Sequence, residues 1–557
     1  MPLLDKSTLG PARLGFADEK DLDAFIDKLG QFERGELAPD GWKQFRLVNG
    51  VYSQRQEGDA MMVRVKIPQG VLTAAQLRAL AEVAERFSTG RGHVTTRQNV
   101  QFHFIRLAHT DDALRVLADA GLTTREACGN SVRNVTTCPF AGASALEPFD
   151  STPYAEAVTR LLLRGPLSSS LPRKFKIAFG GCCGYDCVGA SFNDIGFWAR
   201  VRDGRPGFRV TLGGGLATLR RAGILAHEFA PAEEALEIAE AVVRLFNRVG
   251  NRQQRHRARL KFVVEKLGPE EFLKQYFLER EQLRREGGRH MPMNVPPLQR
   301  SPRSPRPRPP RDGFEQFART NVTPQADPGY AAVTVRALLG DLTAAQFRAL
   351  ADLAEEFSEE REARTTIEQN MLLRFVRREH LAQLHAALDA VGLSKPGART
   401  ISDVTSCPGA YSCRLAVTQS RGMAAELTRA LESREQRLPI KISGCPNGCG
   451  QHYVAGIGLQ GSVRKVNGRS VPQYHLYLGG GFGSETASFG KLSAKIPARH
   501  VAEAVQRLAD AHAQGGDLSQ VPLADLEALD NPSEQDFVDF DESKSFEVHT
   551  TEGECAA

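Results

Sequence analysis

Four cysteines stand in two tight pairs. SCPGAYSCR places Cys407 and Cys413 six positions apart, and GCPNGCG, thirty-two positions on, places Cys445 and Cys449 four apart. Four thiolates can hold a zinc ion or a [4Fe-4S] cluster. Zinc sites favour shorter C-x2-4-C knuckles, so this spacing points to iron–sulfur chemistry, with zinc or buried free thiols as the alternatives. Pro408, Gly409, Pro446, Gly448 and Gly450 turn the backbone sharply and leave room beside inorganic sulfide.

A second group, GGCCGYDCVGA, carries Cys182, Cys183 and Cys187, with Cys138 upstream. A second cluster would need a fourth ligand that is not evident, so packed thiols are the plainer expectation. Cys128 is hard to place, and Cys555 sits near the end of an acidic terminus.

The elements that position these groups come in two copies. VLTAAQLRALAEVAERFS, with LTAAQ at 72–76, returns as DLTAAQFRALADLAEEFS with LTAAQ at 342–346, an offset of 270. Each amphipathic helix is followed by alternating segments suited to strands, TTRQNVQFHFI and TTIEQNMLLRFV. ALRVLADAGL and LHAALDAVGL then suit a second helix. RNVTTCPFAGA parallels SDVTSCPGAYS, and LPRKFKI parallels LPIKISG. Parallel segments in one order imply duplication: an α/β (α+β) chain of two similar halves, with mixed or antiparallel sheets, covering helices and a site between them.

With 557 residues the chain exceeds one ordinary core. Lys plus Arg 71 against Asp plus Glu 66 leaves +5, too small a balance to argue for nucleic acid. No apolar run is long enough to span a bilayer and the N-terminus lacks a signal core, so the expectation is a soluble, cytoplasmic protein without membrane or nucleic-acid partners. Residues 283–313 are dense in Pro and Arg and read as an extended, solvent-exposed connector, with a strap over an anionic group as the sharper alternative. The tail beyond about Gly515 is acidic and reads as flexible.

The two cysteine pairs, TTRQNVQFHF, VRNVTTC, LPRKFKI and the twofold organisation resemble the siroheme-dependent sulfite and nitrite reductase family over roughly residues 45–510. The resemblance implies a six-electron reductase in which a [4Fe-4S] cluster, held by Cys407, Cys413, Cys445 and Cys449, shares the Cys449 thiolate with siroheme. It implies an anion pocket of Arg64, Arg133, Lys174 and Lys176. Lys174 and Lys176 would share one face of an extended segment. It further implies a macrocycle lining of His93, Arg97, Gln98, Gln101 and Asn447, to meet the eight peripheral carboxylates of siroheme. His93 departs from relatives that carry arginine there, and imidazole is the weaker carboxylate partner.

At offset 270, Arg64 becomes Thr334 and Arg97 becomes Ile367, while Ser144 stands six residues after Cys138 where a cysteine would be needed. One functional site per chain is therefore expected. The partition implied is an arm (1–45), a ferredoxin-like half-domain (46–125), a siroheme and substrate domain (126–282) and the connector (283–315). A second ferredoxin-like half-domain (316–398), an iron–sulfur and siroheme domain (399–514) and the tail (515–557) follow. Lys176 favours sulfite over nitrite, because relatives acting on nitrite tend to carry asparagine there. With no dinucleotide-binding or flavin-domain pattern, electrons would come from a separate ferredoxin or flavoprotein. A zinc-stabilised binding protein and an Arg/Pro-dependent nucleic-acid scaffold are the readings from other classes.

Overall fold

The repeated LTAAQ is a helix start. In each copy the threonine side chain accepts from the N–H of the glutamine three residues on, and that glutamine's amide oxygen takes the threonine N–H, at 3.2 and 3.0 Å in both. The helices so capped are Ala74–Phe87 and Ala344–Phe357. The computed structural model describes residues 15–56, 58–182, 186–289, 300–483, 486–529 and 531–548; Cys183, Cys555 and the centre of the connector lie outside them.

The strand before each capped helix crosses to the other half. Asp341–Thr343 pairs antiparallel with Arg91–Val94, and Val71–Thr73 pairs antiparallel with Glu362–Thr365. Each five-stranded sheet of this layer is thus closed by an edge strand from its counterpart. One apolar core runs through both, joining Leu77, Leu80 and Phe102 to Phe347, Leu350 and Phe357. Each such side chain stabilises by about 1.5–3 kcal/mol when buried, so the shared core ties the two sheets together.

Two further five-stranded sheets have matching topology. In the first half Thr136–Thr137, Ile177–Gly180 and Ile195–Arg202 pair in parallel, and Arg205–Leu212 and Ile224–Pro231 continue antiparallel. In the second half Thr405–Ser406, Ile440–Ser443 and Ile457–Val466 pair in parallel, with Arg469–Leu478 and Lys491–Pro497 antiparallel beyond them. Helices Ala235–Val249 and Val501–Ala513 each bury an apolar face in the core of their own half. The expected duplicated α/β architecture with mixed sheets is the one observed.

The repeat register changes by one residue after the capped helix. Arg91–Val94 corresponds to Glu362–Thr365, and the Thr95 N–H to Asn99 carbonyl bond to that from Thr366 to Asn370, an offset of 271. Arg97 therefore corresponds to Glu368 rather than to Ile367. The extra residue lies in the loop between helix and strand, where sequence comparison at constant offset has no means of seeing it.

The described part of the connector, residues 300–311, has no helix or strand and is mostly exposed, as expected, whereas the tail differs from expectation. Helix Pro269–Arg285 starts with its Pro at the first helical position, where no N–H bond is lost, and ends just inside the expected connector. Farther on, Arg308 clasps Glu356 of the capped helix in a two-pronged ion pair at 2.7 and 2.8 Å. The tail folds back as far as described: Phe537 is buried, Arg469 pairs with Glu534 at 2.8 Å, and Asp539 accepts the Gln419 N–H at 2.8 Å.

Candidate functional site

Two cavities meet between the halves. One is an open cleft of about 2020 Å³ whose lining includes ten cationic side chains and, among the described residues, no carboxylate. The other, about 800 Å³, is lined by Cys407, Cys413, Cys445 and Cys449 with Met62, Leu415 and Ala416 among a larger set of polar neighbours. Arg64, Lys174, Leu415, Asn447 and Cys449 line both.

The cysteine loops are shaped by backbone constraints. Cys407 follows Thr405–Ser406, and its N–H donates to the Ile442 carbonyl at 3.2 Å. Its sulfur in turn accepts the Gly444 N–H at 3.3 Å. Gly409 has φ +60°, and Gly450 has no room for a side chain because a Cβ there would overlap the Ile442 carbonyl. Cys449 itself is exposed to the cavities. Thr96, from the opposite half, donates to the Cys449 carbonyl at 2.8 Å, while Gln451 donates to the Thr96 carbonyl at 3.3 Å and accepts from buried Lys441 at 2.7 Å.

Arg64 sits on strand Ala60–Val65 directly opposite Gln101 on Val100–Arg106. With its amide oxygen turned to the arginine, Gln101 accepts from Arg64 Nε at 3.1 Å and Nη2 at 2.7 Å. Lys174 and Lys176 both line the cleft, and Phe175 between them is fully buried. Burial first, then the charges of Arg97, Arg259 and Lys174, push the Lys176 ammonium well below the ordinary lysine range. Arg97 donates to the Asn193 side chain at 2.8 Å and to the Asn134 carbonyl at 2.6 Å. Arg133 lines the cleft with three of its donors already committed, two to the Gly129 carbonyl and one to Ala127.

Three of the expected macrocycle residues do not line the cleft: Gln101 lines only the cysteine cavity, and His93 and Gln98 line neither. His93 faces a separate pocket, with Nδ1 2.9 Å from Asp341 and Nε2 3.0 Å from the Gln369 amide. It sits on the strand that receives Asp341–Thr343, which draws the ring to the borrowed edge. Gln98, at φ +55°, donates to the carbonyls of Thr137 and Thr365 at 3.0 and 2.9 Å and accepts the Thr137 N–H at 3.0 Å. That amide ties the halves together and has little left to offer a ligand.

Sequence reasoning missed half of the cationic wall. Arg173, Arg255, Arg257, Arg259 and Lys261 also line the cleft, and the run RQQRHRARLK at 252–261 was a visible signal overshadowed by the denser connector. Lys261 donates to the Leu216 and Leu219 carbonyls at 2.7 and 2.6 Å, and burial pushes it down to about 7. Arg259 pairs with Asp194 at 2.7 Å. His103, also unanticipated, lines the cysteine cavity and is held neutral by burial, which lowers it to about 3.

The residues present suit the two groups that the sequence implies. The Nε atoms of Arg97 and Arg259 are buried with no hydrogen-bond partner among the described residues, as an anionic ligand in the cleft would require. A cleft of this size exceeds what a small oxyanion needs, and ten cations suit a polycarboxylate. The sulfurs of the four cysteines form no tight metal-sized group, whereas those of Cys138, Cys182 and Cys187 do, all within 4.8 Å of one another. In that second group S–H donation from Cys138 and Cys187 favours the Cys182 thiolate, and burial raises both donors. Among the described residues no helix is long and apolar enough to cross a membrane.

Comparison with known proteins bears on the same elements. The family model described as "Nitrite and sulphite reductase 4Fe-4S domain" matches residues 128–284 and 397–520, and "Nitrite/Sulfite reductase ferredoxin-like half domain" matches 52–120 and 323–391. A ferredoxin–nitrite reductase of Leptolyngbya laminosa is 31% identical, over 78% of this chain and 83% of its own. Sulfite reductase [ferredoxin] 1 of Mycolicibacterium paratuberculosis is 28% identical, over 90% and 88%. An assimilatory ferredoxin-dependent nitrite reductase of Haloferax mediterranei is 32% identical, over 90% and 87%. The structure of the Mycobacterium tuberculosis NirA protein superposes with a TM-score of 0.74 at 27% identity, covering 88% of this chain and 93% of that one. With both domain types matched twice, in the order of the duplication, the chain belongs to the nitrite and sulfite reductase family.

Proposed function

We propose that this chain reduces sulfite to sulfide by six electrons at a siroheme coupled to a [4Fe-4S] cluster, with electrons from a separate ferredoxin or flavoprotein. The observation that carries the reading is that Cys449 lines both the cavity of the four cysteines and the cationic cleft. Cys407, Cys413, Cys445 and Cys449 would hold the cluster, Cys449 being the shared thiolate. Asn447, Arg97 and the 255–261 cations would hold the macrocycle. When bound, these two groups would relay the donor's electrons and offer an iron centre to the substrate.

The chain's own residues do the rest. Arg64 and Lys174, on the border of the two cavities, bind the oxyanion, and Gln101 keeps the Arg64 guanidinium aimed. Lys176, held among other cations, gives up a proton more readily than an ordinary lysine and suits proton delivery as S–O bonds break. Arg133 supports the wall through its Ala127 and Gly129 bonds. His93 and Gln98 act at the seam between halves.

A second reading, reduction of nitrite to ammonia, is supported by the names of the Leptolyngbya and Haloferax relatives. Lys176 in the cleft favours the dianionic substrate. Anaerobic reconstitution with siroheme, iron and sulfide, followed by optical spectra and parallel sulfite and nitrite assays with a reduced low-potential donor, tests the reading. Cys449→Ser is expected to abolish both the coupled spectrum and turnover. Retention of both would overturn the shared-thiolate assignment.

A further inference from the structure

The first half has its own cysteine group, at the positions that the duplication assigns. Cys138 follows Thr136–Thr137 as Cys407 follows Thr405–Ser406, and their N–H groups donate to the Phe179 and Ile442 carbonyls at 3.0 and 3.2 Å. Ser144 stands where Cys413 stands: each N–H donates to the carbonyl four residues back, Phe140 or Gly409, at 3.0 Å. Cys182 follows Gly181 as Cys445 follows Gly444.

Sulfur spacing separates the two groups chemically. The Cys138 and Cys182 sulfurs are 3.8 Å apart, and the Cys187 sulfur lies within 4.8 Å of both. With Zn–S bonds of about 2.3 Å, tetrahedral geometry places two ligand sulfurs about 3.8 Å apart. A cubane cluster holds its ligand sulfurs farther from one another, because irons and sulfides lie between them. One oxygen donor stands close by: Ser144 Oγ is 3.4 Å from the Cys182 sulfur. All three cysteines are buried against Ala141, Ala178 and Trp198.

We propose that Cys138, Cys182 and Cys187 bind a single zinc ion, with an oxygen donor on the Ser144 side completing a tetrahedron. The duplication has thus left two metal sites of different kind: four widely spaced cysteines in the second half and a compact three-thiolate site in the first. Its place indicates a structural role. The Ala141 carbonyl accepts from Arg374 and from Arg364, the latter at 3.3 Å, and the Ala143 carbonyl accepts from the Ala326 N–H at 2.9 Å. The ion pins this loop where it clasps the opposite half.

The test is element analysis of the full-length chain carrying its iron, purified anaerobically, together with Zn2+ replacement by Co2+. The wild type is expected to hold about one zinc per chain besides its iron, and the cobalt form to show thiolate-to-cobalt charge-transfer absorption. Cys187→Ser is expected to lose the zinc and keep iron content and the siroheme spectrum, so the result is independent of the reductase assignment. Should that variant fail to fold, the wild-type cobalt spectrum decides. Wild-type protein that takes up neither Zn2+ nor Co2+ with its thiols reduced would overturn the proposal. So would zinc retained in folded Cys187→Ser, or iron and acid-labile sulfide lost from it in place of zinc.

Discussion

Thr96 and Cys449 are 353 positions apart, yet the Thr96 hydroxyl donates to the Cys449 carbonyl at 2.8 Å. The bond spans the two halves and fixes the backbone of the cysteine that borders both cavities. Thr96→Val keeps the shape and removes a bond worth about 1 kcal/mol. The expected result is full iron and siroheme content, an altered coupled spectrum and a turnover lowered about threefold to tenfold. An unchanged spectrum would show that Cys449 is held by its own loop alone.

Gln101 orients Arg64 through two N–H bonds. Gln101→Met conserves volume and leaves the guanidinium unguided, with a loss of about 1.5–3 kcal/mol for a hydrogen bond to a charged group. Steady-state kinetics should show KM for the oxyanion rising about tenfold or more with kcat less affected. A fall in kcat at constant KM would move Arg64 from substrate binding to another role.

Under the proposed sulfite reading, Lys176 sets the preference between substrates. Lys176→Asn removes a cation from the cleft, and sulfite kcat/KM is expected to fall about tenfold more than nitrite kcat/KM. Equal losses for both substrates would remove the argument for sulfite.

Gly450 is a steric requirement. Its Cβ would overlap the Ile442 carbonyl, a backbone atom that cannot swing aside, so Gly450→Ala is expected to destabilise by about 3 kcal/mol or more and to lower cluster content. A thermal melt and an iron assay measure both. Wild-type stability in the variant would mean that the strand end yields easily.

Asp539 makes tail docking pH-dependent. Burial raises its carboxyl to about 6, above the unfolded value of about 3.9. A raised carboxyl contributes stability that is full below the unfolded value and is lost as pH climbs through the folded one. Protection of the tail against hydrogen exchange, corrected for intrinsic rates, should therefore weaken between about pH 4 and pH 7. Asp539→Asn should flatten that profile; a wild-type tail that tightens as pH rises would contradict the assignment.

Much of this protein was legible as text. The capped helices, the duplication and the second-half cysteine pairs rest on short-range chemistry: a threonine and a glutamine three residues apart before an amphipathic run favour a helix start, and thiolate spacing limits the metals accepted. Arg64, Lys174, Asn447 and Cys449, named from matched motifs, line one pair of cavities.

Contacts between distant segments had no such local signature. Strand exchange between the halves turned His93 toward Asp341, and the seam consumed the amide of Gln98. The acidic tail became a docked segment because Arg469 and the Gln419 N–H were waiting for it. The compact Cys138–Cys182–Cys187 group arose because parallel pairing of Thr136–Thr137 with Ile177–Gly180 brings the two loops together. Sequence by itself determined which side chains can do chemistry. Only the tertiary structure decided which of them share a cavity, since that depends on the register between strands far apart in the chain, and a single inserted residue is enough to change it.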